Sequence, residues 1–137
     1  MGEKIRLPRN HVRSLSSSLI VVEKSLIELE EILLRETESC CSLIVRDVDG
    51  ETLKRNLDLI NEAKAKISAL ADKYGVVSER LSLKRVIRAK RTRMWEILTD
   101  TQSGRMKGYG TFPEKYATQF DSDIKELLEI TDKISCR

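Results

Sequence analysis

The side chains best suited to nucleophilic or metal chemistry are few: one histidine, His11, and three cysteines, Cys40, Cys41 and Cys136. A closed zinc site needs four such ligands converging on a tetrahedron. Here that would force the neighbours Cys40 and Cys41 onto one ion together with residues from both ends of the chain. Adjacent cysteines in an odd set also make a poor disulfide framework, and they read as free thiols in a reducing cytoplasm. Arg6 and His11 have the Arg-x4-His spacing of some helical ribonucleases, but Pro8 separates them at the edge of the first periodic segment. Asp47-Val48-Asp49-Gly50 shares its spacing with a calcium loop and lacks the remaining ligands and the terminal glutamate. Asp49 reads instead as a helix cap. The Glu-x-x-His units of diiron bundles are absent, and no cysteine–histidine dyad can be drawn. The expectation is a protein that is not an enzyme, with no metal site and no cofactor.

Two lysines interrupt apolar seams. Lys64 falls between Ile60 and Ile67, and Lys90 between Ile87 and Met94. A cation inside a helical bundle needs a carboxylate beside it. Asp123 and either Glu23 or Glu30 are expected near the same height. One reading is a polar layer of Lys64, Lys90, Asp123 and one of those glutamates that fixes the register of the helices. The other is that both lysines extend their ammonium groups out to solvent. A catalytic lysine is the weakest of the three readings.

Lys84, Arg88, Arg91 and Trp95 line up on one stripe of a helix, with Arg85 and Thr92 further out. A row of cations ending in the only tryptophan suits phosphate contacts and a stacked base. Arg105 and Lys107, in the loop Gly104-Arg105-Met106-Lys107-Gly108-Tyr109-Gly110, could extend it. That loop lacks the spacing of a phosphate-binding P-loop and reads as a turn. The competing reading of the stripe is a solvated face that pairs with acidic helices. Glu79 to Lys107 holds nine basic and three acidic residues, whereas Glu23 to Glu38 holds two basic and six acidic.

These residues must be positioned by helices. Val12, Leu15, Leu19, Val22, Leu26, Leu29 and Leu33 alternate steps of three and four, a heptad seam that only an α-helix places on one face. Three further seams follow: Leu53, Leu57, Ile60, Ile67, Ala71 and Tyr74; Leu83, Val86, Ile87, Met94, Ile97 and Leu98; and Tyr116, Phe120, Ile124, Leu127, Thr131 and Ile134. The spacing predicts helices over about 9–42, 51–74, 79–103 and 112–135, with residues 1–8 flexible. Asp49, Ser78 and a Thr111/Glu114 capping box are the expected start signals and Gly75 a stop.

The chain has 137 residues, 4% aromatic and 34% charged, which fits one helical domain. No apolar run approaches the roughly 18 residues of a membrane span. The expected fold is all-α, an antiparallel up-down-up-down four-helix bundle with a longer first helix, in the cytoplasm. The first turns of that helix would overhang its partners and expose Val12 and Leu15, an apolar surface suited to self-association. The expected function is an interaction or self-assembly module whose partners are proteins, copies of itself included. The alternative is a nucleic-acid-binding accessory protein using the third helix. No membrane or small-molecule partner is indicated.

Overall fold

The computed structural model describes residues 3–35 and 38–135, the side chain of Lys107 excepted. Among the described residues the fold is all-α, with four helices: α1 (Arg9–Leu34), α2 (Gly50–Tyr74), α3 (Leu83–Asp100) and α4 (Glu114–Asp132). Two single 3-10 turns, Ser103–Arg105 and Lys107–Tyr109, lie between α3 and α4. α1 packs on α2 and α3 packs on α4. The chain divides into two compact units, Met1–Ser78 and Glu79–Arg137, each a helical hairpin. None of the helices is long and apolar enough to cross a membrane.

In the first unit, α1 has 26 residues and α2 has 25. α1 ends at Leu34, earlier than its seam suggests, because the chain turns back on itself. The Arg46 guanidinium donates to the carbonyls of Ile32 and Arg35, both at 2.9 Å, and to that of Leu33. The last carbonyls of a helix have no partners within it, and one arginine supplies them here. Ser39 and Ser42 then close a tight turn through their backbones and hydroxyls, with Cys40 and Cys41 exposed at its tip. Cys136 and Thr37 lie outside the described residues.

α2 starts and stops as its sequence predicts. Asp49 accepts the Thr52 N–H at 2.7 Å. Gly75 sits in the left-handed region, φ 69°, and its N–H returns to the carbonyls of the last turn. Leu53, Leu57, Ile67, Ala71 and Tyr74 are half-buried against α1, and Ile60 is buried. On the facing side of α1, Val12, Leu15, Leu19, Leu26 and Leu33 are half-buried, while Val22 and Leu29 are exposed.

The expected overhang of α1 is not what the hairpin shows, because α2 matches α1 in length. The segment before α1 also folds beside the end of α2, where the Ile5 N–H donates to the Lys73 carbonyl at 2.8 Å. Val12 thereby lines an open groove of about 390 Å³ with Ile5, Leu7, Tyr74 and Gly75.

In the second unit, α3 begins at Leu83, four residues later than the expected start at 79. Ser82, not Ser78, receives a helix N–H, that of Arg85 at 3.5 Å. α4 starts at Glu114 behind Pro113 without a side-chain cap, so the Thr111 capping box does not form. Phe112 instead packs on Phe120, with ring centroids 4.8 Å apart. Ile87, Met94 and Leu98 of α3 are half-buried, as are Ala117, Phe120, Ile124, Leu128 and Thr131 of α4. Tyr116, Leu127 and Ile134, expected to point inward, are exposed. α4 carries two apolar rows about a sixth of a turn apart, and the row containing Ala117 and Leu128 faces α3.

Candidate functional site

The two seam lysines have different surroundings. The Lys64 Nζ donates to Glu30 Oε1 at 2.9 Å. Both side chains are shielded, at 30% and 25% exposure, between α1 and α2. Glu23 is exposed on α1. Lys90 is exposed on α3, and Asp123 is exposed on α4, where it accepts the Gln119 amide at 2.9 Å. Lys64 and Glu30 form a cross-helix pair between α1 and α2 of the first unit.

The second unit holds the basic stripe. From Lys84 to Arg93, six of ten residues are lysine or arginine and none is acidic. The structure divides this run by what each cation touches. Arg91 is half-buried, and its Nη1 donates to the Ile134 carbonyl at 3.0 Å, just beyond the end of α4. That places a cation at the negative end of the α4 dipole, a structural use of its charge. Arg93 approaches Glu96 at 3.6 Å, with both exposed. Arg105 stands 3.9 Å from Asp100 in the loop after α3. Lys84 is exposed on the same face. The Lys107 side chain lies outside the described residues.

Arg85 and Arg88 are exposed, and neither forms an ion pair among the described residues. Four like-charge neighbours crowd this stretch: Lys84–Arg88 at i,i+4, and Arg85–Arg88, Arg88–Arg91 and Lys90–Arg93 at i,i+3. Each such pair opposes an isolated helix by about 0.2–0.5 kcal/mol. Lys84 and Arg85 also lie in the first turn, which contains no acidic residue, at the positive end of the macrodipole. Trp95 is 49% exposed. It lines an open groove of about 230 Å³ with Arg91, Thr92 and Asp132.

Two further polar arrangements hold the connections. Asp121 accepts the Ser103 N–H at 2.8 Å and the Ser103 hydroxyl at 2.7 Å, tying the loop after α3 to α4. Those bonds, the hydroxyl's first, hold the Asp121 carboxyl below the usual carboxylate range. The Thr52 backbone bond, followed by its side-chain bond, does the same for Asp49. Asp121 lies on the inner edge of α4, between Ala117 and Ile124, and that position was its only signal in the sequence. Arg46 gave none, since no periodicity marks a loop arginine that folds back onto a helix end.

His11 is exposed in the first turns of α1. Among the described residues no group of three His, Cys, Asp or Glu could hold a metal ion. No protein-family model matches this chain, and neither the curated proteins nor the solved structures yield a match.

Proposed function

We propose that this protein is a non-enzymatic helical interaction module that assembles with further copies of itself through apolar rows left open by its hairpins. One observation carries the reading. α1 has apolar residues on both flanks of the seam it shares with α2. Val22 and Leu29 lie on one flank, with Ile20, Ile27 and Leu34 on the other, and all but the half-buried Ile20 are exposed. Successive members of each row are seven residues apart, two turns of helix, so each forms a straight ridge that a second helix can pack into. Scattered exposed leucines need no explanation, but contiguous rows do. Self-association suits such a row because a two-fold axis places identical ridges against each other.

The test is solution mass by light scattering from about 1 to 200 µM, for wild type and for Ile27→Lys/Leu34→Lys. Both substituted positions are exposed, so the variant leaves the α1–α2 seam intact. A mass that rises with concentration in wild type and stays monomeric in the variant supports assembly through this row. A wild type that is monomeric throughout overturns self-assembly, and an unaltered mass in the variant overturns the row.

A further inference from the structure

We propose that the outer face of α3 binds single-stranded nucleic acid, with Arg85 and Arg88 contacting phosphates and Trp95 stacking on a base. This surface uses none of the α1 residues proposed for self-assembly.

Part of the positive charge on α3 is not used by the fold. Of the six cations from Lys84 to Arg93, Arg91 is bound to the Ile134 carbonyl and Arg93 is beside Glu96. Arg85 and Arg88 point to solvent with no ion-pair partner among the described residues. Their neighbours one turn away are also cations, so the helix would be better off without them. A polyanion reverses that sign, since each phosphate neutralised by a lysine or arginine releases condensed counterions.

The exposed cations and Trp95 also share one line along the helix. Arg85, Arg88, Thr92 and Trp95 follow at i, i+3, i+7 and i+10. At about 100° and 1.5 Å per residue they lie within about 80° of arc, along about 15 Å of helix. Thr92 is exposed and adds a hydroxyl to the row. The half-exposed Trp95 indole, beside a groove that includes Arg91, ends it. Aromatic stacking next to a cationic track is how single strands are held without sequence readout. A duplex keeps its bases stacked inside and offers the indole no face, which selects a single strand over a double one. Asp132, on the far wall of the groove, repels phosphate and leaves the approach over Arg88 and Thr92.

Trp95 is the sole tryptophan, so its emission reports this site directly. The experiment titrates the full chain with unlabelled dT15 and with a 15-base-pair duplex at 50 and 200 mM KCl. It compares wild type with Arg85→Gln/Arg88→Gln, and circular dichroism confirms that the variant is helical. The expected result is quenching of Trp95 by dT15. With the two phosphate contacts of Arg85 and Arg88, the affinity should fall about sevenfold between the two salt concentrations. The variant should lose about tenfold or more at 50 mM KCl. Absence of quenching by dT15 at 50 mM KCl overturns the proposal, as does a helical variant that binds like wild type. Tighter binding to the duplex than to dT15 overturns the assignment to single strands. Concentration-dependent mass is read separately, so failure here leaves the assembly of α1 standing, and the reverse holds too.

Discussion

α2 and α3 are both amphipathic, both capped at the start by a short polar side chain, and both packed along one face, yet their charges run in opposite directions. α2 has Glu51 in its first turn and Lys73 in its last, so each end of the macrodipole meets the complementary charge. α3 begins with Lys84 and Arg85, ends with Glu96 and Asp100, and has no acid in its first turn and no base in its last. In α2 propensity, capping, charge and burial agree, which is the mark of a segment shaped by stability. In α3 the seam and cap agree while the charges conflict. Charges that oppose the macrodipole, beside two exposed arginines with no ion pair among the described residues, mark the kind of segment in which a functional demand competes with folding.

The largest difference expected between the two helices comes from burial. Ile60 is 3% exposed, and Ile60→Ala should destabilise the first hairpin by about 2–4 kcal/mol. Ile97 on α3 is 48% exposed, and Ile97→Ala should cost about 1 kcal/mol or less. Urea titrations followed by circular dichroism for Ile60→Ala and by Trp95 emission for Ile97→Ala measure both. Equal losses would mean that α3 buries as much as α2, which removes the contrast.

The Lys64–Glu30 pair gives a smaller effect. It is only partly shielded, so Lys64→Leu should cost about 1–2 kcal/mol, between the values for surface and buried pairs. Glu30→Leu/Lys64→Leu should recover the loss or exceed wild type, because the stranded carboxylate is then gone. A single Lys64→Leu variant as stable as wild type in urea would show that the pair holds nothing.

Acid should affect both hairpins. Asp49 and Asp121 have carboxyls held below their ordinary value by the bonds from Thr52 and Ser103. Their folded pKa values lie below the unfolded ones. Each contribution is therefore fully present above the unfolded pKa, near 3.9, and is lost as pH falls through the folded value. Asp121→Asn should flatten the acid side of the stability curve read from Trp95. A curve unaltered by Asp121→Asn would remove Ser103 as the source of the acid sensitivity.

What was legible in the sequence follows the same division. The seam of α2 and both of its ends were readable, because each rests on local chemistry: an Asx cap, a glycine stop and a heptad of apolar side chains. The packing face of α4 was not, since Leu127 and Leu128 serve equally well by periodicity and only the position of α3 chooses between them. The end of α1 was hidden for a different reason. Its seam continues through Cys40 and Ile44, and what ends the helix is Arg46, a nonlocal contact returning from the loop. Of the basic stripe, the sequence could list the cations but could not show that Arg91 caps the end of α4 while Arg88 is left over.

The smallest predicted effect is the most discriminating. Arg88 has cations at i−4, i−3 and i+3, and Arg88→Gln relieves three repulsions while keeping a good helix former. If α3 were shaped by stability alone, a surface arginine should be neutral or favourable there. The charge conflict predicts instead that Arg88→Gln raises the stability of the second hairpin by a few tenths of a kcal/mol, up to about 1, read from Trp95 emission in urea at low salt. Because these are exposed charges, the gain should shrink at 1 M KCl, where the Debye length is about 3 Å. A loss of stability on Arg88→Gln would mean that Arg88 has a structural partner, and the frustration that singles out α3 would vanish with it. A gain that fades with salt would leave Arg88 as a residue that destabilises its own helix, which folding alone does not explain.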